Sequence, residues 1–214
     1  MEIADSGANN LKILGIVGSK RKNGNTAALV KHTMAPFKES EHFETEIIYL
    51  GDLNIEGCRG CEGCALTNRC VIQDDMQKIY KKLRLSDSII AGSPTYFYNM
   101  SSDMKKFIDR CYCFCTFDKK DRSVWISEFE CSLQKYAGII SVSEQENIED
   151  IGFTPEAMKL SFQSLGYRII SNQKILHVFK PGEVESRMTS IDEARRNGEK
   201  LLKTILLSRG FQQE

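Results

Sequence analysis

LKILGIV GSKRKNGNT, residues 11–26, is the stretch that decides the fold. Its first seven residues form an apolar run without alternation, the pattern of a strand buried on both faces of a parallel sheet. The run ends at Gly18-Ser19, and after a polar loop a helical pattern begins near Asn25-Thr26. Ala27, Ala28, Val30 and Lys31 suit that helix, and Pro36 lies near its end. Where a buried strand feeds a helix, backbone N–H groups and the helix dipole converge on one anion-sized spot. Ser19, Asn25 and Thr26 add donors, and the Arg21 guanidinium pairs with phosphate oxygens. The loop is not a Walker A motif, because no Gly-Lys-Ser/Thr follows Gly24, and it is not the Gly-x-Gly-x-x-Gly dinucleotide fingerprint. It reads as a phosphate loop, against the plainer alternative of a polar turn that caps a helix.

Further along, FETEIIYL (43–50), SDSIIAGSP (86–94), YAGIISVS (136–143) and YRIISNQKILHVF (167–179) read as four more strands, the last with a possible break. Helical patterns cover 76–85, 101–112, 154–165 and 190–207, the last despite Gly198. Residues 113–135 mix aromatics and charges without a period and read as an irregular insertion. Strands alternating with helices imply a doubly wound α/β sheet with right-handed crossovers, whose ligands bind beyond the carboxyl ends of the strands. One domain is expected over residues 11–207, with a cysteine loop at 57–75, the insertion at 113–135 and a poorly ordered tail over 1–10.

Composition excludes several function classes. Lys+Arg and Asp+Glu both number 29, so there is no basic surplus for nucleic acid. No apolar run approaches the roughly 20 residues of a membrane span, and MEIADSGANN lacks the start of a signal peptide. Eight cysteines without such a signal point to the reducing cytoplasm, where clustered thiols are ligands or redox groups rather than disulfides.

Two further loops carry chemistry. GSPTYFYNMS (92–101) follows the third strand: Pro94 stiffens the turn, and Thr95, Tyr96, Phe97 and Tyr98 offer a wall for a flat conjugated ligand, or else a simple cover for the sheet end. Cys58, Cys61, Cys64 and Cys70 follow the second strand, with Gly60 and Gly63 between them. Such density at ligand-like spacing reads as a site that holds something.

Three motifs in this order, GSxRxxGNT, the Cys-x-x-Cys-x-x-Cys loop ending in CVIQDDM (70–76), and SPTYFYNMSSDMKKFIDR (93–110), resemble the NADPH-dependent FMN reductase family. Within it, the chain is most similar to the iron–sulfur flavoproteins, convincingly over residues 11–110. The resemblance implies a flavodoxin-like three-layer fold with a five-stranded parallel sheet in the order 2-1-3-4-5. It also implies FMN, with Ser19, Arg21, Asn25 and Thr26 at its phosphate and Pro94, Thr95, Tyr96 and Phe97 along its ring. No side chain is expected to be catalytic in its own right, since the flavin carries the chemistry. Family members are usually dimers or tetramers. One departure is the loop SVSEQENIED (141–150), which has no glycine where relatives are glycine-rich; Glu144, Gln145 and Glu146 must be accommodated there.

Successive two-residue spacings are those of ferredoxin cubanes, so Cys58, Cys61, Cys64 and Cys70 are the candidate ligands of a [4Fe–4S] cluster. The spacing also admits zinc or bare thiols. Cys111, Cys113, Cys115 and Cys131 read as small apolar residues, and His32, His42 and His177 show no ligand spacing. The expected function is electron transfer from a ferredoxin-like or NAD(P)H donor, through the cluster and FMN, to a quinone, oxygen or peroxide. The alternatives are a cluster-free NAD(P)H-dependent FMN or quinone reductase, and a flavodoxin-like module with structural zinc and no turnover.

Overall fold

Five parallel strands, the central three apolar on both faces, organise the molecule, in a computed structural model that describes residues 10–210. The tail expected over residues 1–10 lies, except for Asn10, outside the described residues. The strands are β1 (Leu11–Val17), β2 (Phe43–Tyr49), β3 (Ser88–Tyr96), β4 (Asn99–Met100), β5 (Cys115–Phe117), β6 (Trp125–Ser127), β7 (Lys135–Val142) and β8 (Tyr167–Ile175). The helices are α1 (Asn25–Lys38), α2 (Met76–Leu85), α3 (Ser102–Arg110), α4 (Thr154–Ser164) and α5 (Met188–Ser208). The main sheet runs β2-β1-β3-β7-β8, all parallel. With β7 and β8 as the fourth and fifth crossover strands, this is the flavodoxin-like order 2-1-3-4-5.

The unalternating runs follow from having two cores. Leu14, Ile16, Ile89, Ala91, Ala137 and Ile139 face a core completed by α2, α3 and α4. Ile13, Val17, Ile90 and Ile140, one position out of phase, face a core completed by α1 and α5. Side chains alternate faces along a strand, so a strand between two helix layers must be apolar at every position.

Three details differ from expectation. β3 does not stop at Pro94, which keeps its register opposite Val142; the strand continues to Tyr96 and turns back through Phe97-Tyr98 into β4. β8 ends at Ile175, and its break is a bulge at Ile170, because Ala137 pairs with Ile169 and Gly138 with Ser171. The insertion holds a β5–β6 hairpin, and strands of three residues are too short to display a period. No described helix is long and apolar enough to cross a membrane.

Candidate functional site

β1 leads outward to β2 on one side while β3 and the later strands lie on the other, so the sheet's switch point falls between β1 and β3. The chain is pinned there. Gly18 N–H donates to the Gly92 carbonyl at 2.8 Å. Ser101, the N-cap of α3, donates its hydroxyl to the Gly18 carbonyl and accepts from Met104 N–H. Above this junction opens a cavity of about 300 Å³. Ser19, Arg21, Asn25 and Thr26 line one side, and Pro94, Thr95, Tyr96 and Phe97 the other. All eight cofactor residues expected from the sequence therefore border one cleft.

Their side chains are not equally available. α1 starts after Gly24 with no side-chain cap and no acidic residue in its first turn. Its first intrahelical bond runs from Ala28 N–H to the Gly24 carbonyl, so the N–H groups of Asn25, Thr26 and Ala27 are unspent within the helix. Those donors, with the buried Ser19 and Thr26, suit a phosphate. The Asn25 amide is already committed: Nδ2 donates to the Lys180 carbonyl and Oδ1 accepts from Val184 N–H, both at 3.0 Å. It clamps the 180–184 segment and leaves only its backbone for a ligand. Arg21 donates to the Phe179 carbonyl at 3.0 Å and stacks 5.2 Å above the Phe179 ring.

The opposite wall is strained. Phe97 and Tyr98 have φ of 49° and 65°, the two left-handed central residues of a tight hairpin turn that normally takes Asn-Gly. Each such non-glycine residue costs about 1–2 kcal/mol. The Tyr98 carbonyl accepts from Phe153 N–H at 2.7 Å, and a Cβ on Gly152 would lie 2.3 Å from that oxygen. The turn is thus held by a glycine that alone allows the approach. Phe97 is fully exposed. Strain concentrated on the wall of a cleft is characteristic of ligand sites.

Val142, Glu144, Val178, Phe179 and Pro181 complete the cleft, and sequence reasoning did not assign them. The glycine-poor loop is accommodated by pairing with the chain beyond β8. Ser143 N–H donates to the Ile175 carbonyl, and His177 N–H donates to the Gln145 carbonyl. Glu144 then faces both this cleft and an adjoining one of about 380 Å³ at the base of the aromatic hairpin. An anion-binding end, a stiff aromatic wall and an adequate volume fit FMN.

After a 3-10 turn at Leu50–Asp52 that follows β2, the cysteine loop runs to α2 without regular structure apart from turns within Glu62–Asn68. Gly60, Glu62 and Asn68 take positive φ. Cys58 and Cys61 are exposed, while Cys64 and Cys70 pack against the core beneath. Burial raises the Cys64 pKa, and the charges of Cys70, Cys58 and Cys61 push it the same way. The donor set, four neighbouring thiols, fits an iron–sulfur cluster in kind and number. Among the described residues, however, no three His, Cys, Asp or Glu side chains are drawn together as a metal group requires. Cys111, Cys113 and Cys115 are buried; burial pushes Cys113 up to about 12 and Cys115 to about 11, so they stay protonated.

Comparison with known proteins agrees with this geometry. The family model for NADPH-dependent FMN reductase matches residues 11–147. An iron–sulfur flavoprotein of Methanocaldococcus jannaschii is 42% identical over 100 residues, which is 47% of this chain and 51% of that one. One from Archaeoglobus fulgidus is 38% identical over 102 residues, covering 47% and 45%. The matches thus span about half the length of these curated relatives. Among solved structures, a flavone reductase superposes with a TM-score of 0.67 at 15% identity, covering 95% of this chain and 66% of that one. An FMN-dependent NADH-azoreductase from Bacillus anthracis, in complex with FMN, gives 0.62 at 15% identity, covering 89% and 99%. At such identities the structures establish the fold alone.

Proposed function

This chain belongs to the NADPH-dependent FMN reductase family, and from that premise we propose that it is a flavin-dependent oxidoreductase with FMN in the cleft between β1 and β3. We further propose that Cys58, Cys61, Cys64 and Cys70 hold a [4Fe–4S] cluster. The observation that carries the flavin reading is the meeting of an uncapped helix N-terminus and a strained aromatic hairpin across one cleft at the sheet's switch point. The names of the curated relatives and the four-thiol donor set support the cluster.

When bound, FMN exchanges two electrons and a cluster exchanges one at a time. The chain's own residues bind and orient. N–H groups at the start of α1, with Ser19 and Thr26, hold the phosphate, and Arg21 closes that end by stacking on Phe179. Pro94 to Phe97 limit the ring's movement, and Glu144 sets a carboxylate at the rim. Cys64 and Cys70 anchor the cysteine site to the core, and Cys58 and Cys61 meet solvent, where a ferredoxin-like donor or a small acceptor such as a quinone, oxygen or peroxide has access. A homodimer or homotetramer is part of this reading.

The separation of the thiols among the described residues favours one alternative, a cluster-free reductase taking hydride from NAD(P)H. Anaerobic purification followed by assay of flavin, iron and acid-labile sulfide decides between them. One FMN with about four irons and four sulfides per chain is expected, and Cys64→Ala should lose the iron while keeping FMN. Flavin without iron, together with steady NAD(P)H oxidation, would establish the alternative, and a chain without flavin would refute both.

A further inference from the structure

Arg110, at the end of α3, is the largest fully buried side chain among the described residues, and each guanidinium nitrogen has a partner in α2 or the stems of the cysteine loop. It forms a two-pronged ion pair with Asp74, Nη1 to Oδ2 at 2.6 Å and Nη2 to Oδ1 at 3.1 Å, with both side chains almost wholly out of solvent. The same nitrogens donate to the carbonyls of Glu56 at 3.0 Å and Ile72 at 3.4 Å. Nε donates to the Tyr80 hydroxyl, which in turn donates to the Arg110 carbonyl. Glu56 stands two residues before Cys58, and Ile72 two after Cys70. Asp74 completes the link by accepting from Glu56 N–H at 2.9 Å and from Met76 N–H at 3.0 Å. One guanidinium thus joins the departing and returning stems of the loop to each other and to α2.

The segment that follows Arg110 holds the rest of the loop. Arg122 makes a two-pronged ion pair with Glu62, which sits between Cys61 and Gly63 at φ 59°, and also donates to the Tyr112 hydroxyl. Asn68, the second non-glycine residue of the loop at positive φ, donates to the Thr116 hydroxyl at 3.0 Å. The Asn68 carbonyl accepts from Arg84 at 2.9 Å. Contacts from one continuous stretch, residues 110–122, therefore reach the stems and both strained positions of a loop that has little internal structure.

We propose that Arg110 is the positioning residue of the cysteine site: paired with Asp74, it fixes the separation of the two loop stems and so sets the frame from which Cys58, Cys61, Cys64 and Cys70 converge on a common metal centre. This rests on the cysteine site proposed above. A lysine cannot replace the guanidinium, because a point charge lacks the fork that spans Asp74 and two carbonyls.

Two variants test the role without stranding a buried charge: Arg110→Lys, and the neutral pair Arg110→Met/Asp74→Asn. Each is purified anaerobically with FMN, iron and sulfide counted. Each iron-free form is then alkylated under reducing conditions, and the rate at every cysteine is read by peptide mass spectrometry. Both variants should bind FMN at the wild-type stoichiometry. The neutral pair should lose most of its iron, and Arg110→Lys should retain an intermediate amount. Cys64 and Cys70 should alkylate about tenfold faster in the neutral pair, as expected when a loop opens locally, with exposed Cys131 unchanged. Unchanged rates at Cys64 and Cys70 in the neutral pair would overturn the proposal, as would acceleration at buried Cys111 of equal size, which signals general loosening. If the wild-type chain takes up no iron, the cluster reading fails, yet the alkylation rates still decide whether Arg110 positions the thiols.

Discussion

Arg21 and Phe97 mark the two ends of the cleft, and each has a consequence that can be measured. The Arg21 guanidinium stacks on Phe179 and donates to its carbonyl, so it joins the phosphate loop to a segment far away in sequence. Arg21→Ala removes a cation–π contact and a charged hydrogen bond, and FMN binding should weaken by about tenfold or more. Arg21→Lys should not restore it, since lysine lacks the planar surface. Riboflavin, which has no phosphate, should lose much less affinity than FMN in the same fluorescence titration; equal losses would remove Arg21 from the phosphate end. Phe97 has the opposite character: it is fully exposed and left-handed, so it contributes strain and no packing. Phe97→Asn should raise the unfolding free energy of the flavin-free protein by about 0.5–1 kcal/mol, because asparagine tolerates that backbone. It should also weaken FMN, which denaturation and titration on one preparation would reveal together. A loss of stability would mean that the ring has a structural partner.

At the scale of elements, Gly198 separates what could be read in the chain from what could not. In the sequence it is a defect in a helical pattern, because glycine costs about 1 kcal/mol relative to alanine there. In the fold it is the contact at which α5 meets α1: a Cβ would lie 2.1 Å from the Thr33 carbonyl, a backbone atom that cannot rotate away. Gly198→Ala should therefore lower the melting temperature despite its better helix propensity, and an unchanged or higher one would mean that the helices can separate at little cost. The same distinction runs through the site. Ser19, Thr26 and Pro94 to Phe97 were legible because buried strands end in characteristic loops, and those loops must gather at one edge of a parallel sheet. Phe179 was not, because it reaches the cleft from beyond β8 and no local pattern says which distant segment folds over which; Glu144 was named for its loop after the fourth strand, but not as a lining residue. Asn25 was found for its residue type, yet its amide serves the 180–184 segment. The thiol spacing was plain in the sequence; the clamp beneath it was not, because Arg110 reads as the polar end of α3 until its partner, 36 residues earlier, is brought under it.

The whole molecule carries an unusual set of buried titratable groups, and their sum fixes how stability depends on pH. Burial pushes Cys113 up to about 12, Cys115 to about 11 and Cys111 well above the ordinary thiol value. In the unfolded chain these thiols ionise near 8.5, so above that pH the folded state holds more protons than the unfolded one and stability falls as pH rises. Cys113 and Cys115 each contribute a loss of about 2 kcal/mol by pH 10, and Cys111 acts in the same direction. Lys135 opposes them. Its ammonium is buried at the end of α2, where it donates to the Leu83, Arg84 and Ser86 carbonyls, and burial brings its pKa down to about 8. Between 8 and 10.5 the unfolded chain holds that proton more firmly, so Lys135 makes stability rise with pH, by less than about 3 kcal/mol at pH 10. Three thiols outweigh one lysine, and buried Tyr80 and Tyr167, whose pKa values burial also raises, act with the thiols above about 10. Urea unfolding of the reduced, iron-free protein should therefore show a midpoint that falls steadily from pH 8.5 to 10. Replacing Cys111, Cys113 and Cys115 together by alanine costs packing at every pH, but it should reverse the slope over that window and leave the Lys135 contribution exposed. A slope unchanged by the triple replacement would assign the alkaline loss to other groups.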